Sequence, residues 1–204
     1  MITIVDYGLG NIQAFLNVYK RLNLEARTAR NADELAGATK VIVPGVGAFD
    51  HAMERLEQSG MRGTLDDLVL RQRMPVLGVC VGMQMLARGS DEGRLPGLGW
   101  IDGHVKAFGS WEPSKRLPVP HMGWNDVRPG AGTRLFEDLE SEARFYFLHS
   151  FFFECARQEN VLAVSHYGAD FSSAVQHGNV FGVQFHPEKS HHFGTQLLKN
   201  FAGL

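Results

Sequence analysis

Apolar positions follow two regimes along this chain. In the first ninety or so residues, short unbroken apolar runs alternate with stretches that repeat at helical spacing. Ile2–Val5 predicts a buried strand, followed by the glycine turn Gly8-Leu9-Gly10. A helix is predicted from Asn11 to Leu22, because Phe15, Leu16, Val18, Tyr19 and Leu22 recur on one face. Ala26–Ala29 is a second, weaker strand candidate, and Val41–Val43 a third that ends in the turn Pro44-Gly45-Val46-Gly47. Ala48–Leu56 and Met61–Arg71 read as helices, and Pro75–Val79 as a fourth strand that runs through Cys80 into a helix over Gly82–Arg88. Strands alternating with helices argue for a parallel sheet covered on both faces.

From Gly99 onward the chain breaks into short β-rich pieces separated by Gly, Pro and Ser. These are Trp100–Phe108, Gly123–Val127, Arg144–His149, Val161–His166, Ser173–His177 and Val180–Phe185, which predict meandering, partly antiparallel strands. Phe151-Phe152-Phe153 reads as core, the segment from Gly109 to Pro120 as a mobile loop, and Phe193–Phe201 as a closing amphipathic helix. The expected architecture is α/β, with a mixed, largely parallel central sheet flanked by helices and a β-rich second half. No internal repeat or low-complexity stretch interrupts it, so residues 1–204 are expected to form a single domain.

Composition narrows the function classes. The formal net charge is -2 and the Lys and Arg residues are scattered, which argues against a nucleic-acid partner. Apolar runs end well short of the roughly 18 residues a membrane span needs, and Met1–Asp6 lacks the basic start of a secretory signal. A cytoplasmic protein without a membrane partner is expected. The two cysteines, Cys80 and Cys155, are too few for a disulfide framework.

Candidate chemistry concentrates at Gly78-Val79-Cys80-Val81-Gly82, where a strand turns sharply into a helix. Glycines there permit a tight turn that lifts a nucleophile above the carboxyl edge of the sheet. A helix start at that point adds N–H donors and positive potential, which activate a thiol and stabilise an oxyanion. About a hundred residues later comes Phe185-His186-Pro187-Glu188. Proline biases His186 towards an extended conformation, in which residues two apart share a side, so Glu188 is expected to orient the imidazole. Thiol, imidazole and carboxylate are the groups a cysteine acyl-transfer enzyme needs. The Pro44–Gly47 turn, next to the strand carrying Cys80, is a candidate oxyanion loop. Cys155 follows a run of phenylalanines with no glycine turn or base nearby and is expected to be inert packing. His186, His191 and His192 match no zinc spacing, and Gly8-Leu9-Gly10 lacks the third glycine of a dinucleotide fingerprint because position 13 is Gln. No metal or other cofactor is expected.

Gly78-Val79-Cys80-Val81-Gly82-Met83-Gln84 together with Phe-His-Pro-Glu resembles the signature of the class I, triad-type glutamine amidotransferases, which have a flavodoxin-like fold. Further segments spread the resemblance over nearly the whole chain: Asp6–Asn11, Pro44–Gly47, His121-Met122-Gly123-Trp124-Asn125, Tyr146–Ser150 and Gln184–Ser190. His-Met-Gly-Trp-Asn resembles, within that family, the glutaminase subunits of imidazole glycerol phosphate synthase. The resemblance implies that Cys80 attacks the amide of glutamine to give a thioester and ammonia, with His186 as base and acid and Glu188 orienting it. It implies an oxyanion hole from the Val81 N–H and the Val46-Gly47 turn, with Gln84, His149 and Ser150 near bound glutamine. It also implies a heterodimer with a (β/α)8-barrel cyclase subunit that receives the ammonia, and places Asn11, Trp124, Tyr146 and Lys189 at that interface. Phe151 departs from the Tyr usual in the family. The residues leave open a paralogous subunit serving another acceptor such as a sugar, and a free-standing cysteine hydrolase of γ-glutamyl substrates.

Overall fold

The computed structural model describes residues 1–139 and 143–204. In chain order its main elements begin with β1 (Ile2–Val5), α1 (Ile12–Arg21), β2 (Ala26–Ala29), β3 (Lys40–Gly45), α2 (Phe49–Gln58) and α3 (Arg62–Asp66). Then come β4 (Val76–Cys80), α4 (Val81–Gln84), β5 (Gly103–Ala107), β6 (His121–Asp126), β7 (Arg128–Pro129) and β8 (Arg144–His149). The chain closes with β9 (Phe151–Cys155), β10 (Val161–Tyr167), β11 (Ala169–His177), β12 (Val180–Val183) and α5 (His191–Gly203).

The central sheet runs β2-β1-β3-β4-β12-β11-β10-β7. Its first five strands are parallel, and the four inside the edge strand β2, namely β1, β3, β4 and β12, are buried along almost their whole length, as covering on both faces requires. From β11 the pairing turns antiparallel, and β9 joins β11 to β5 at the side. β6 and β8 form a separate antiparallel ribbon. The strand order reverses between β1 and β3, and the carboxyl ends of the neighbouring strands β3, β4 and β12 lie together on the edge where such sheets carry their sites.

Several predicted bounds shift for identifiable reasons. The helix expected over Gly82–Arg88 is a single turn, α4, because Leu98, Gly99 and Ile101 donate their N–H groups to the carbonyls of Met85, Ala87 and Leu86. The returning segment takes the acceptors that a longer helix would use. Trp100–Phe108 forms a strand only over Gly103–Ala107, while the Trp100 indole is held away by Asp66 Oδ1 at 2.7 Å. The helix expected over Met61–Arg71 is α3 followed by a π-helical turn at Asp67–Arg71. β6 starts two residues before the predicted Gly123, β11 starts at Ala169 rather than Ser173, and the triple phenylalanine is itself part of a strand, β9. The segment from Gly109 to Pro120 is tied down: Ser114, fully buried, donates to the Phe108 carbonyl at 2.9 Å, and Trp111 packs 4.8 Å from Phe152.

An aromatic core fixes the strands that bear the site. Phe185, the residue before His186, is fully buried and stacks on Phe145 of β8 at 4.0 Å between ring centroids. Each such ring contributes roughly 1.5–3 kcal/mol of burial, enough to hold the chain position of its neighbour.

Candidate active site

Cys80 ends the central strand β4 and precedes α4 directly, with φ 56° and ψ -114°. A β-carbon makes that region costly, by about 1–3 kcal/mol, and it persists only where surroundings impose it. The glycines on either side impose it through close approach. A Cβ on Gly82 would lie 1.9 Å from the Val43 carbonyl oxygen, and one on Gly78 would lie 2.5 Å from the Gly82 oxygen. The turn is thus pressed against β3, and the strain falls on the cysteine itself. Since α4 is only four residues long, peptide N–H groups rather than a long helix dipole supply the polarity beside the thiol.

β3 pairs with β4 so that Gly45 stands opposite Cys80. The turn that follows, with Val46 and Gly47 exposed and Gly47 at φ 89°, therefore borders the elbow. Tyr7 secures its base by donating its buried hydroxyl to the Pro44 carbonyl at 2.6 Å. Desolvation, with the charge of Cys80 second, raises the Tyr7 pKa far above the usual phenol range and keeps it a donor.

His186 leaves β12 in an extended conformation, and Pro187–Lys189 then turns back as a short 3-10 helix. This turn, rather than a continuous extended segment, brings His186 Nδ1 to 2.8 Å from Glu188 Oε1. An ionised carboxylate only accepts, so Nδ1 carries the proton and Nε2 is left for the thiol. Both side chains are almost wholly buried, at 4% and 3% exposure. Burial lowers the His186 pKa, but the interactions with Cys80 and Glu188 outweigh it and bring the value up to about 9. The site favours the imidazolium form of His186. Ser190, the last residue of the Gln184–Ser190 segment, bolts this loop to β8 by donating to the His186 carbonyl at 2.6 Å and accepting from the Tyr146 N–H at 3.0 Å.

Cys80, His186, Val46, Gly47, Val81, Gln84, His149, Ser150 and Lys189 all border one cavity of about 310 Å3, the size of a small-molecule site. Glu92 borders it too and also accepts the Phe49 N–H at the start of α2, at 2.9 Å. Nothing in the periodicity marked this residue among the acidic groups of its loop.

His149 belongs to a buried chain. Its Nδ1 donates to the Phe151 carbonyl at 2.7 Å, and its Nε2 lies 2.9 Å from Nδ1 of His121, also buried. Desolvation holds the His149 pKa down at about 3 and that of His121 at about 4, so both rings stay neutral. Gln84 donates to the same Phe151 carbonyl at 3.2 Å. The contacts of residue 151 that matter here run through its backbone, so Phe in place of Tyr leaves them intact.

Trp124 and Tyr146 stand opposite each other in the β6–β8 ribbon, and Lys189 lies over the Tyr146 ring at 5.9 Å. With Met122 (66% exposed), Trp124 (41%) and Leu148 (38%), the outer face of this ribbon presents unusually large apolar groups to solvent. Asn11 sits apart, at the start of α1, where its Oδ1 accepts the Ala14 N–H at 3.2 Å. Of the histidines grouped with His186 in the sequence, His191 stacks on Trp124 at 5.3 Å and His192 packs on Phe193. Cys155 is half-buried on β9, and desolvation pushes its thiol up to about 11. Among the described residues no helix is long and apolar enough to cross a membrane.

A thiol on a strained elbow, an imidazole with a buried carboxylate behind it and a glycine turn on the neighbouring strand, all on a 2-1-3-4 parallel sheet, are the groups that acyl transfer through a cysteine calls for. The chain belongs to the glutamine amidotransferase class-I family, whose pattern it matches over residues 3–203. It is 63% identical, over the full length of both chains, to the imidazole glycerol phosphate synthase subunit HisH of Bdellovibrio bacteriovorus. The corresponding protein of Leptospira interrogans is 51% identical, again over the full length of both. Among solved structures, a glutamine amidotransferase superposes with a TM-score of 0.76 at 21% identity, covering 100% of this chain and 99% of the other. PurLQS from Thermotoga maritima gives 0.75 at 17% identity, covering 99% and 97%. At these identities the two structures speak for the fold.

Proposed function

We propose that this chain is the glutaminase subunit of an imidazole glycerol phosphate synthase in histidine biosynthesis, a single cytoplasmic domain spanning residues 1–204. The observation that carries the reading is the strained Cys80 elbow together with the His186–Glu188 pair at 2.8 Å. Cys80, as thiolate, attacks the side-chain amide carbon of glutamine. N–H groups of Val81 and of the Val46-Gly47 turn hold the oxyanion. His186, protonated and steadied by Glu188, delivers its proton to the departing nitrogen, so ammonia leaves and a γ-glutamyl thioester remains. Water, deprotonated by the same imidazole, then releases glutamate.

The cavity walls suit an amino-acid substrate. Both N–H groups of Gln84 are used inside the protein, which frees its Oε1 to accept from the ligand. Glu92 offers a carboxylate for an α-ammonium group. His149 and Ser150 line the cavity as well. The apolar face of the β6–β8 ribbon, with Trp124, Tyr146 and Lys189, and Asn11 nearby in role, is read as the docking surface for a (β/α)8-barrel cyclase subunit that takes the ammonia.

The test is glutamine hydrolysis by the purified chain, alone and with a candidate cyclase subunit plus its ribulosyl ligand. Stimulation by the partner that disappears in Cys80→Ala is expected. Full activity without any partner would instead support a free-standing hydrolase.

A further inference from the structure

Gln184 lies two residues before His186 and is completely buried. It therefore shares the side of the chain on which the imidazole lies, yet no step of the reaction described above uses it. Its amide touches the nucleophile: Nε2 donates to Cys80 Sγ at 3.8 Å, within the ordinary range for a sulfur acceptor.

The direction of that contact is fixed by logic, not by the resemblance of amide oxygen to amide nitrogen. The Phe151 carbonyl can only accept, so the Gln84 atom 3.2 Å away must be Nε2. That same Nε2 lies 3.1 Å from Gln184, which must then present its Oε1 there. With its oxygen turned to Gln84, Gln184 has only N–H groups left for the sulfur. The Phe151 carbonyl is itself locked by the His149 Nδ1–H, at 2.7 Å. His149 in turn accepts from His121, and Asn125 Nδ2 donates to His121 Nε2 at 3.2 Å and to the His166 carbonyl at 3.0 Å. Every member of this buried chain has one consistent role, from a surface strand to the thiol.

Two backbone or side-chain dipoles face the sulfur with opposite effect. The Leu148 carbonyl, 4.0 Å away, accepts from an S–H and repels a thiolate. The Gln184 N–H does the reverse, since a donor strengthens as the sulfur gains charge. We propose that Gln184 is a positioning residue for the nucleophile, its N–H holding Cys80 Sγ in the thiolate form and in place for attack, with Gln84 and the Phe151 carbonyl locking its amide. The proposal rests on Cys80 being the nucleophile.

Two variants test it. Gln184→Met keeps the size and removes the donor; Gln184→Glu keeps an oxygen for Gln84 and replaces the donor with an acceptor. The readout is the rate of Cys80 modification by iodoacetamide across pH 6–10, followed by peptide mapping on the full-length chain, with Cys155 as internal reference and urea midpoints as a folding check. A hydrogen bond to a charged group corresponds to roughly tenfold or more. Modification of Cys80 at neutral pH is expected to slow by about that factor in both variants. Its pH midpoint should move upward, while Cys155 keeps its rate. In steady state, kcat for glutamine should fall in parallel and KM should hardly change. A purely structural role would lower the urea midpoint and leave the alkylation midpoint where it was, and that result in either folded variant overturns the proposal. Retained glutamine hydrolysis in Cys80→Ala would instead overturn the nucleophile assignment, a separate outcome.

Discussion

The two buried neutral histidines make stability depend on pH in a way that can be worked out in advance. His149 and His121 have folded pKa values of about 3 and about 4, against 6.5 for an unfolded chain. For a base with a depressed folded pKa, the unfolded state binds the extra proton, so stability is complete above pH 6.5 and is lost as pH falls towards the folded value. Lowering the pH from 7 to 5 costs about 2 kcal/mol for each ring, or about 4 kcal/mol together. His186 has the opposite sign: its folded pKa of about 9 adds stability below 6.5 that fades as pH rises through 9. Over the same interval from 7 to 5 it returns about 1 kcal/mol. The net loss of about 3 kcal/mol is a large part of the 5–15 kcal/mol typical of a folded domain. Equilibrium urea unfolding at the two pH values measures it. In a His121→Gln/His149→Gln double variant the loss of about 3 kcal/mol should turn into a gain of about 1 kcal/mol, even though the variant is weaker at every pH. Equal pH dependence in wild type and double variant would refute the reasoning, because it would mean the two rings are protonated in the folded state or never buried.

Other consequences are as direct. Glu188→Gln removes the carboxylate behind His186 and should lower kcat at least tenfold, with a circular dichroism spectrum unchanged from wild type; unchanged turnover would take Glu188 out of the site. Gly82→Ala forces a methyl group to 1.9 Å from the Val43 oxygen, and the expected loss of about 1–3 kcal/mol is read from the urea midpoint. Trp124→Ala, on the exposed ribbon face, should weaken association with the cyclase subunit by more than 1 kcal/mol in titration calorimetry while leaving the melting temperature within a degree or two.

What could be read from the residues, and what could not, divides along local and non-local lines. The parallel strands were legible as apolar runs, and the elbow was legible because close backbone approach leaves only glycine at positions 78 and 82. The His186–Glu188 pairing was expected, though through an extended segment; the backbone achieves it with a turn after Pro187. The length of α4 was not legible, since it is set by carbonyls captured by the returning segment Leu98–Ile101. Nor was the His121–His149 contact, which depends on the register in which β6 meets β8. Glu92 carried no signal at all. Gln184 did carry one: it alternates with His186, so the same period-2 argument that joined His186 to Glu188 pointed to it as well.

The φ of 56° at Cys80 sets thermostability and activity against each other. A residue without a β-carbon would relax that backbone by about 1–3 kcal/mol, and glycine at position 80 would abolish the thiol. A library sorted only for resistance to heat would therefore be drawn towards inert proteins at this position, and any laboratory selection on this scaffold has to read out ammonia release alongside melting.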